Sequence, residues 1–138
     1  MKSDLKFVNF VVPKFLFEKV TIDENDDLFS INPQAVIIRT QKQFHINIDI
    51  EILDAKNDFN LKMFCIGIFD YDTEDENLLL NFMSVNGPAI VFPYIRSFIS
   101  SYTALSGFDT ITLPTLNLSN HKEKLIATLI DLDSVKDE

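Results

Sequence analysis

The stretch that decides the fold is Phe44-His45-Ile46-Asn47-Ile48-Asp49-Ile50-Glu51-Ile52. Five large apolar side chains alternate here with four polar or charged ones. Because successive side chains of a β-strand point to opposite faces, this period of two predicts a strand with one apolar and one polar face.

A hairpin to a second strand follows directly. Residues 55–58, Ala-Lys-Asn-Asp, have the composition of a hairpin loop, and residues 59–71 begin with the same alternation. From Met63 to Phe69 the second strand becomes apolar on both faces. Such a strand has to be covered on both sides, and in so short a chain the second cover could be another subunit or a bound ligand.

Further strands are predicted upstream. Residues 6–20 are rich in Phe and Val, which favours a strand or a bent pair of strands. Pro13 lies in its middle and predicts an edge, a bulge or a bend there. Acidic residues 23–27 form a loop, and residues 35–40 are a short apolar run that ends near Arg39.

Downstream of the hairpin the pattern becomes helical. Thr73 and Glu76 have the spacing of a capping box and predict a short helix that runs to about Val85. The tripeptide at residues 86–88, Asn-Gly-Pro, then predicts a break in the chain.

A longer helix is predicted after this break. Pro93 lies inside its pattern, so the helix either begins there or is kinked there. Gly107 is a natural C-terminal stop. The apolar positions fall on one stripe, formed by Ile90, Val91, Tyr94, Ile95, Phe98, Ile99, Tyr102 and Leu105.

An extended segment and a last helix complete the chain. Residues 108–118 are apolar and contain a proline. Asn120 and Glu123 are predicted to cap the final helix, and the acidic tail at about 133–138 is predicted to be flexible. The apolar positions of this helix are Leu125, Ile126, Leu129 and Ile130.

The order of these elements predicts the fold class. Strands come first and helices follow, which is typical of an α+β fold in which an antiparallel sheet carries helices on one face. A length of 138 residues suits a single domain over residues 1–138.

Composition narrows the classes of partner. The net charge of −9 argues against a nucleic acid, because phosphate binding needs clustered Lys and Arg. Thirteen Phe and no Trp are an unusual aromatic content. The excess of Phe is explained either by the core or by an apolar surface that takes a partner, and composition does not separate the two.

No constellation of residues indicates an enzyme, a metal site or a cofactor. His45 and His121 are isolated and are interpreted as surface residues, and Cys65 stands in an apolar run as a buried hydrophobe. The acidic run 70–76 is explained by a solvated strand end and a helix start. The N-terminus lacks the shape of a signal peptide, and the apolar stretch 7–17 is too short to span a membrane, so we expect a cytoplasmic protein.

Three motifs carry a resemblance to a known family. Residues 87–96, Gly-Pro-Ala-Ile-Val-Phe-Pro-Tyr-Ile-Arg, resemble the signature at the start of the long helix of SecB export chaperones. Residues 114–118, Pro-Thr-Leu-Asn-Leu, resemble the crossover of that family, and residues 67–69, Gly-Ile-Phe, resemble the end of one of its strands. Together with the order of elements, the resemblance covers about residues 6–132.

The resemblance implies a fold and a function. It implies a four-stranded antiparallel sheet with a long helix and a shorter C-terminal helix, assembled as a homotetramer that is a dimer of dimers. Apolar grooves would hold unfolded polypeptides such as preproteins, without an ATPase or a cofactor, and pass them to the SecA motor in protein export. SecB-like proteins also serve single partners such as antitoxins, and this role is the alternative.

The resemblance also implies roles for particular residues. Pro93 and Arg96 are expected to be architectural, and Glu18 matches one acid that contacts the motor, although Lys14 and Lys62 stand where two others are expected. The oligomer interface is predicted at Tyr94, Ile95, Phe98 and Tyr102. The groove for unfolded clients is predicted at Phe64, Ile66, Leu113, Leu116, Leu118, Leu125 and Leu129, with core packing as the alternative for each.

Overall fold

A five-stranded sheet forms the body of the protein. The computed structural model describes residues 4–114 and 121–135. The order across the sheet is β1-β4-β3-β2-β5, in which the first four strands are antiparallel neighbours and β5 runs parallel to β2. The strands are β1 Leu5–Lys19, β2 Leu28–Ile38, β3 Gln43–Asp54, β4 Phe59–Tyr71 and β5 Ile130–Asp131.

The predicted alternation in β3 and β4 is confirmed. The five apolar side chains of β3 at positions 44, 46, 48, 50 and 52 are at most 5% exposed. In β4, Met63, Cys65 and Phe69 face the same core, because their neighbours in register belong to the buried face of β3. Phe64 and Ile66 point to the opposite, outer face of the sheet, where they are half-buried.

The two strands at the outside of the antiparallel part of the sheet, β1 and β2, each contain a proline. β1 pairs with β4, and its register shifts between Val11 and Lys14, so Pro13 lies in the irregularity that was predicted. β2 is longer than the apolar run 35–40, because it begins at Leu28. Pro33 is tolerated inside it since β5 pairs only with Val36 and Ile37.

The helices differ from the sequence prediction at the predicted break. Helix α1, Glu76–Asn81, continues through a π-helical segment, Phe82–Asn86, into helix α2, Gly87–Leu105. The N–H of Gly87 donates to the carbonyl of Phe82, five residues back. This turn therefore contains one extra residue, and the helix continues instead of breaking. Pro88 then stands in the first turn of α2, where its missing N–H is tolerated.

Two details of the predicted helices are corrected. Asp75, not Thr73, is the N-cap of α1, because the Asp75 carboxylate accepts hydrogen bonds from the N–H groups of Asn77 and Leu78. Thr73 instead accepts a hydrogen bond from the N–H of Asp75. Pro93 lies within α2, so the helix does not begin there.

By length and composition, the helical run Glu76–Leu105 could cross a membrane. Its most apolar 18-residue window has a mean hydropathy of 1.4. Half of that window is buried inside the protein, however, as in the core helix of a soluble fold. The apolar character of this run is therefore explained by its packing on the sheet.

The C-terminal helix is shorter than predicted. Helix α3, Lys122–Ala127, ends before Leu129, and Ile130 lies in β5 instead. A last turn, α4, follows at Leu132–Val135. Asn120, the predicted cap, and the tail residues 136–138 lie outside the described residues.

Polar and charged side chains connect the fifth strand and the turn after it to the end of β2. Arg39, at the end of β2, donates hydrogen bonds to Asp131 in β5 and to Glu76 in α1. The backbone N–H and the hydroxyl of Thr40 donate to the Asp133 carboxylate. The contacts with Asp131 and Asp133 join residues more than ninety positions apart, so no local pattern predicted them.

The helix and the sheet lie in close contact at Gly67 of β4. A Cβ atom added at this position would overlap the Cγ2 methyl of Val91 in α2, and both residues are buried. Gly87 is similarly confined, since its added Cβ would lie 3.1 Å from Ile46 Cγ1 of β3. Glycine is therefore required at position 67 by space, not by a turn.

Replacing Gly67 tests this close approach. We expect Gly67→Ala to lower the free energy of unfolding by about 1–3 kcal/mol, because the added methyl overpacks the core. Val91→Ala alone should also destabilise, by leaving a cavity. In urea unfolding, the double variant should lose clearly less stability than the two single losses added together. Strict additivity would contradict the contact.

Candidate functional site

An aromatic pocket lies at the end of the sheet that α2 does not reach. It has a volume of about 520 Å³ and opens between the β3–β4 hairpin and residues 108–114. Ile52 and Phe59 are buried and form its floor. Phe17, Phe29 and Phe108 form its walls, and the last two are about half exposed. We call these five residues the aromatic pocket.

The register of the strands places the pocket residues together. Phe29 pairs with Ile52, and Phe17 lies on the same face as Phe59, with ring centroids 5.7 Å apart. Phe108 comes from the segment that follows α2, and its ring centroid lies 6.2 Å from that of Phe17. Three strands and one extended segment therefore contribute aromatic side chains.

The roof of the pocket, residues 108–114, is fastened to α2 by side chains. The hydroxyl of Ser100 donates to the carbonyl of Ile111, and the N–H of Ile111 donates to the hydroxyl of Thr103. Arg96 donates from Nε to the carbonyl of Leu113 at 3.1 Å. Arg96 thus connects α2 to the roof within one chain.

Charged groups surround the mouth of the pocket. Asp54, Asp58 and Asp109 contribute carboxylates, while Lys19 and Lys56 contribute amines. Burial opposes ionisation of Asp54, but hydrogen bonds from Asn57 outweigh this effect and hold its pKa below the usual value. The mouth is therefore polar and charged, although the walls and floor are aromatic.

A second apolar surface runs along the outer side of α2. Tyr94, Phe98, Tyr102 and Leu105 lie along one face of the helix and border a shallow depression of about 440 Å³, and we call them the α2 stripe. Leu105 is 88% exposed, and Tyr94 and Tyr102 are nearly half exposed. A row of exposed aromatic side chains on one helix face is typical of a protein interface.

The α2 stripe is supported from below by phenylalanines of β1. Tyr94 contacts Phe7 and Phe10 at centroid distances of 4.9 and 5.6 Å. Phe15 contacts Tyr102 at 4.5 Å in an edge-to-face arrangement. Much of the excess of Phe therefore lies between β1 and α2.

Of the four predicted interface residues, three lie on the stripe. Tyr94, Phe98 and Tyr102 are available to a partner. Ile95 is not, because it faces the sheet and has no exposed surface. The prediction for Ile95 differs from the structure because the apolar positions predicted from the sequence included side chains on both the inner and the outer face of α2.

The five predicted groove residues that the structure describes do not form one site. Phe64 and Ile66 lie on the outer face of the sheet, opposite the helices. Leu113 and Leu125 are buried on the helix side, where Leu113 reaches the aromatic pocket and Leu125 packs in the core. Leu129 is partly buried beside Leu125. The remaining two, Leu116 and Leu118, lie outside the described residues.

Most of the pocket was missed by the sequence analysis. Phe17, Phe29, Phe59 and Phe108 come from four separate segments, and none was predicted as a site residue. The main signal in the sequence was the high Phe content, which does not indicate which rings share a site. The positions of these phenylalanines next to strand ends and loops were a weaker signal.

The outer face of the sheet carries mixed charge. Glu18 is exposed on β1 and accepts a hydrogen bond from the side chain of Asn60 at 2.9 Å. Lys14 pairs in register with Phe64, and Lys62 precedes that residue on the same strand. This face therefore combines half-buried apolar side chains with charges of both signs.

The described part of the chain contains no group of three or more His, Cys, Asp or Glu side chains that could hold a metal ion. Burial lowers the pKa of His45, whose ring hydrogen-bonds Gln43. Burial, together with the Asp49 carboxylate, raises the pKa of the Cys65 thiol to about 12. The buried Cys65 thiol therefore lacks the environment of a reactive nucleophile.

Comparisons with known proteins agree with this fold. The sequence profile of the family SecB, described as "Preprotein translocase subunit SecB", matches residues 6–122. "Protein-export protein SecB" of Anaplasma phagocytophilum is 26% identical and aligns over 94% of this chain and 90% of its own length. "Uncharacterized protein MJ0357" of Methanocaldococcus jannaschii is also 26% identical, over 99% of this chain and 90% of its own length.

A solved structure has a similar fold. It is the Mycobacterium tuberculosis Rv1957 SecB-like chaperone in complex with a ChAD peptide from the Rv1956 HigA1 antitoxin. Its TM-score is 0.63 at 15% sequence identity, over 83% of this chain and 88% of that chain. The α+β architecture is thereby shared with a SecB-like protein.

The reactivity of Cys65 tests the burial of β4. Because burial raises the pKa of this thiol, a thiol reagent at pH 8 should label the native protein at least about a hundredfold more slowly than the protein unfolded in denaturant. The labelling rate should rise with pH as the thiolate forms. Rapid labelling of the native protein at pH 8 would show that the sheet interior opens.

Proposed function

The chain belongs to the SecB family, and we propose that it is an ATP-independent chaperone, a holdase, that binds unfolded polypeptides through the aromatic pocket. The observation that carries the proposal is a half-open cavity with aromatic walls and a charged mouth. A folded protein hides its aromatic side chains, whereas an unfolded chain presents them. A pocket of this kind therefore favours unfolded over native partners.

The pocket suits a side chain of an extended polypeptide. Its volume of about 520 Å³ accommodates a large aromatic or aliphatic group. Aromatic walls offer a large apolar contact area to any apolar side chain, so one pocket accepts different residues. Broad and fast binding of low specificity is the expected result.

Charge supports the same function. The chain carries a net charge of −9, and at the mouth of the pocket the three carboxylates of Asp54, Asp58 and Asp109 outnumber the two amines of Lys19 and Lys56. Acidic surroundings attract basic segments and repel acidic ones. Unfolded chains that combine apolar and basic residues, preproteins among them, are therefore the preferred clients.

The assembly that we propose is a homotetramer, a dimer of dimers, in which the α2 stripe is buried between subunits. The stripe is exposed, aromatic and rigid, since β1 supports it from below. Leaving Leu105 and two tyrosines in water is unfavourable, and a second copy of the same surface would cover them.

A charge placed on the α2 stripe tests the assembly. Light scattering behind size exclusion should give four times the 15.8 kDa mass of the chain for the natural protein. Leu105→Lys should dissociate this tetramer, because it buries an unpaired charge in the interface. Ala104→Lys, next in sequence and also exposed but off the stripe, is the matched control. If the natural chain is a monomer, the proposed assembly is wrong.

A dedicated chaperone for one partner is the second candidate. The structural neighbour from Mycobacterium tuberculosis is described in complex with a peptide from an antitoxin. In this chain, Lys14 and Lys62 occupy the outer face where the family resemblance leads us to expect acids that contact the SecA motor. Hand-off of clients to the SecA motor in the cytoplasm, with Glu18 as a contact, is part of the first candidate function. The two lysines argue against this hand-off.

A pair of neighbouring substitutions tests the client site. Phe29→Ser removes a half-exposed wall of the pocket and should weaken binding of a reduced, carboxymethylated protein about fivefold or more, measured by fluorescence anisotropy. Leu28→Ser is the matched control, because this neighbour is about equally exposed but points to the other face of β2. Both variants should unfold cooperatively near the natural midpoint.

The same assay separates the two candidates. A general holdase should bind several unrelated unfolded proteins with similar affinity, ignore their native forms and be unaffected by ATP. A dedicated chaperone should bind one partner far more tightly than any of these. If the protein is folded but binds no unfolded chain, the proposed holdase function is rejected.

A further inference from the structure

One wall of the aromatic pocket is held differently from the others. Phe108 is half exposed, and the Lys19 ammonium lies 5.7 Å from the centre of its ring. The same ammonium donates a 2.6 Å hydrogen bond to the carbonyl of Asn57 in the β3–β4 hairpin. Lys19 therefore connects the end of β1, the hairpin and the roof across the mouth of the pocket.

The attachment of Phe108 is weak on its other sides. Its ring contacts Phe17 at a centroid distance of 6.2 Å, which is near the outer limit for an aromatic pair. Its N–H makes only a long, 3.4 Å hydrogen bond to the Ser106 hydroxyl. By contrast, Ile111 and Leu113 further along the roof are fastened to α2 by shorter hydrogen bonds.

The residue before Phe108 permits movement. Gly107 has a φ of +88° and nothing within 4 Å of where a Cβ would lie. Glycine adopts both signs of φ at similar cost, so the chain can turn here without displacing a neighbour. The hydrogen bonds of Ile111 mark the other end of the stretch that can move.

We propose that Phe108 is an internal competitor that covers part of the aromatic pocket in the free protein, is latched by Lys19 and moves away when a client side chain enters. This inference rests on the proposed function of the pocket. The competitor belongs to the same chemical class as the group it excludes, an aromatic ring, so part of the apolar surface of the pocket stays covered between clients. Only side chains that fill the pocket better than Phe108 displace it.

The latch is weak enough to be reversible. An exposed cation–π contact changes an equilibrium by about twofold to fivefold at room temperature. A ring held by such a contact covers its part of the pocket for most of the time and is still displaced by a client. Lys56, the other lysine at the mouth, makes no such ring contact among the described residues and serves as a control.

Fluorescence tests the inference directly, because the chain contains no Trp. The substitution Phe108→Trp places a single indole reporter at the competitor position. Addition of a Trp-free, reduced and carboxymethylated client should shift its emission to longer wavelength and increase quenching by acrylamide, as the ring moves into water. A shift to shorter wavelength would show that the indole covers the client instead, and would overturn the inference.

The latch has its own readout without a client. In the Phe108→Trp protein, a second substitution Lys19→Met should increase acrylamide quenching of the indole, whereas Lys56→Met should not. Equal quenching in both double variants would remove Lys19 from the mechanism. This measurement is independent of client binding, so it separates failure of the latch from failure of the chaperone function.

Affinity gives the sharpest contrast. Phe108→Ser should tighten client binding about twofold to fivefold, whereas the same substitution at Phe29 weakens it. Loss of affinity in Phe108→Ser would show that this ring is an ordinary client contact and would overturn the competition. If no client binds either the natural protein or Phe108→Ser, the proposed chaperone function is rejected, and so is the competition between Phe108 and a client. The quenching measurement on Lys19 is unaffected by that outcome.

Discussion

The close approach of α2 to β4 at Gly67 is the constraint on which the rest of the structure depends. Because no side chain separates Val91 from the strand, the helix lies directly on the sheet and covers the apolar face of β3. The π-helical segment before α2 adapts the helical run to this position, and Gly87 is confined there against Phe82 and Ile46. Space, not backbone conformation, explains the glycine in the Gly-Ile-Phe motif.

The placement of α2 also determines where the sheet stays open. The helix ends at Leu105, while the paired strands β3 and β4 continue to the hairpin beyond it. The apolar floor at this end, Ile52 and Phe59, is therefore covered by an extended segment instead of a helix. An extended segment fills the space less completely than a helix does, and the aromatic pocket is the space that remains.

Sequence patterns predicted what is local and missed what is distant. The alternation in β3 required only neighbouring residues, and so did the bulge at Pro13, and the structure confirms both. The contact of Arg39 with Asp131 beside the fifth strand joins distant residues, and the pocket combines four phenylalanines from separate segments. The predicted break at residues 86–88 was wrong because tertiary packing outweighed the local preference of glycine and proline. Family motifs identified the architecture but not the exposed surfaces.

The two apolar surfaces are not independent, because Phe17 contacts both. Its ring contacts Tyr102 of the α2 stripe at 6.1 Å, and it contacts Phe59 and Phe108 of the aromatic pocket at similar distances. Phe15 extends the same aromatic row to Phe98 and Tyr102. A change in the position of one ring alters the packing of its neighbours, since close-packed aromatic groups have few alternative arrangements. The unusual Phe content therefore builds one continuous aromatic layer, which supports an exposed helix face at one end and forms a half-open pocket at the other.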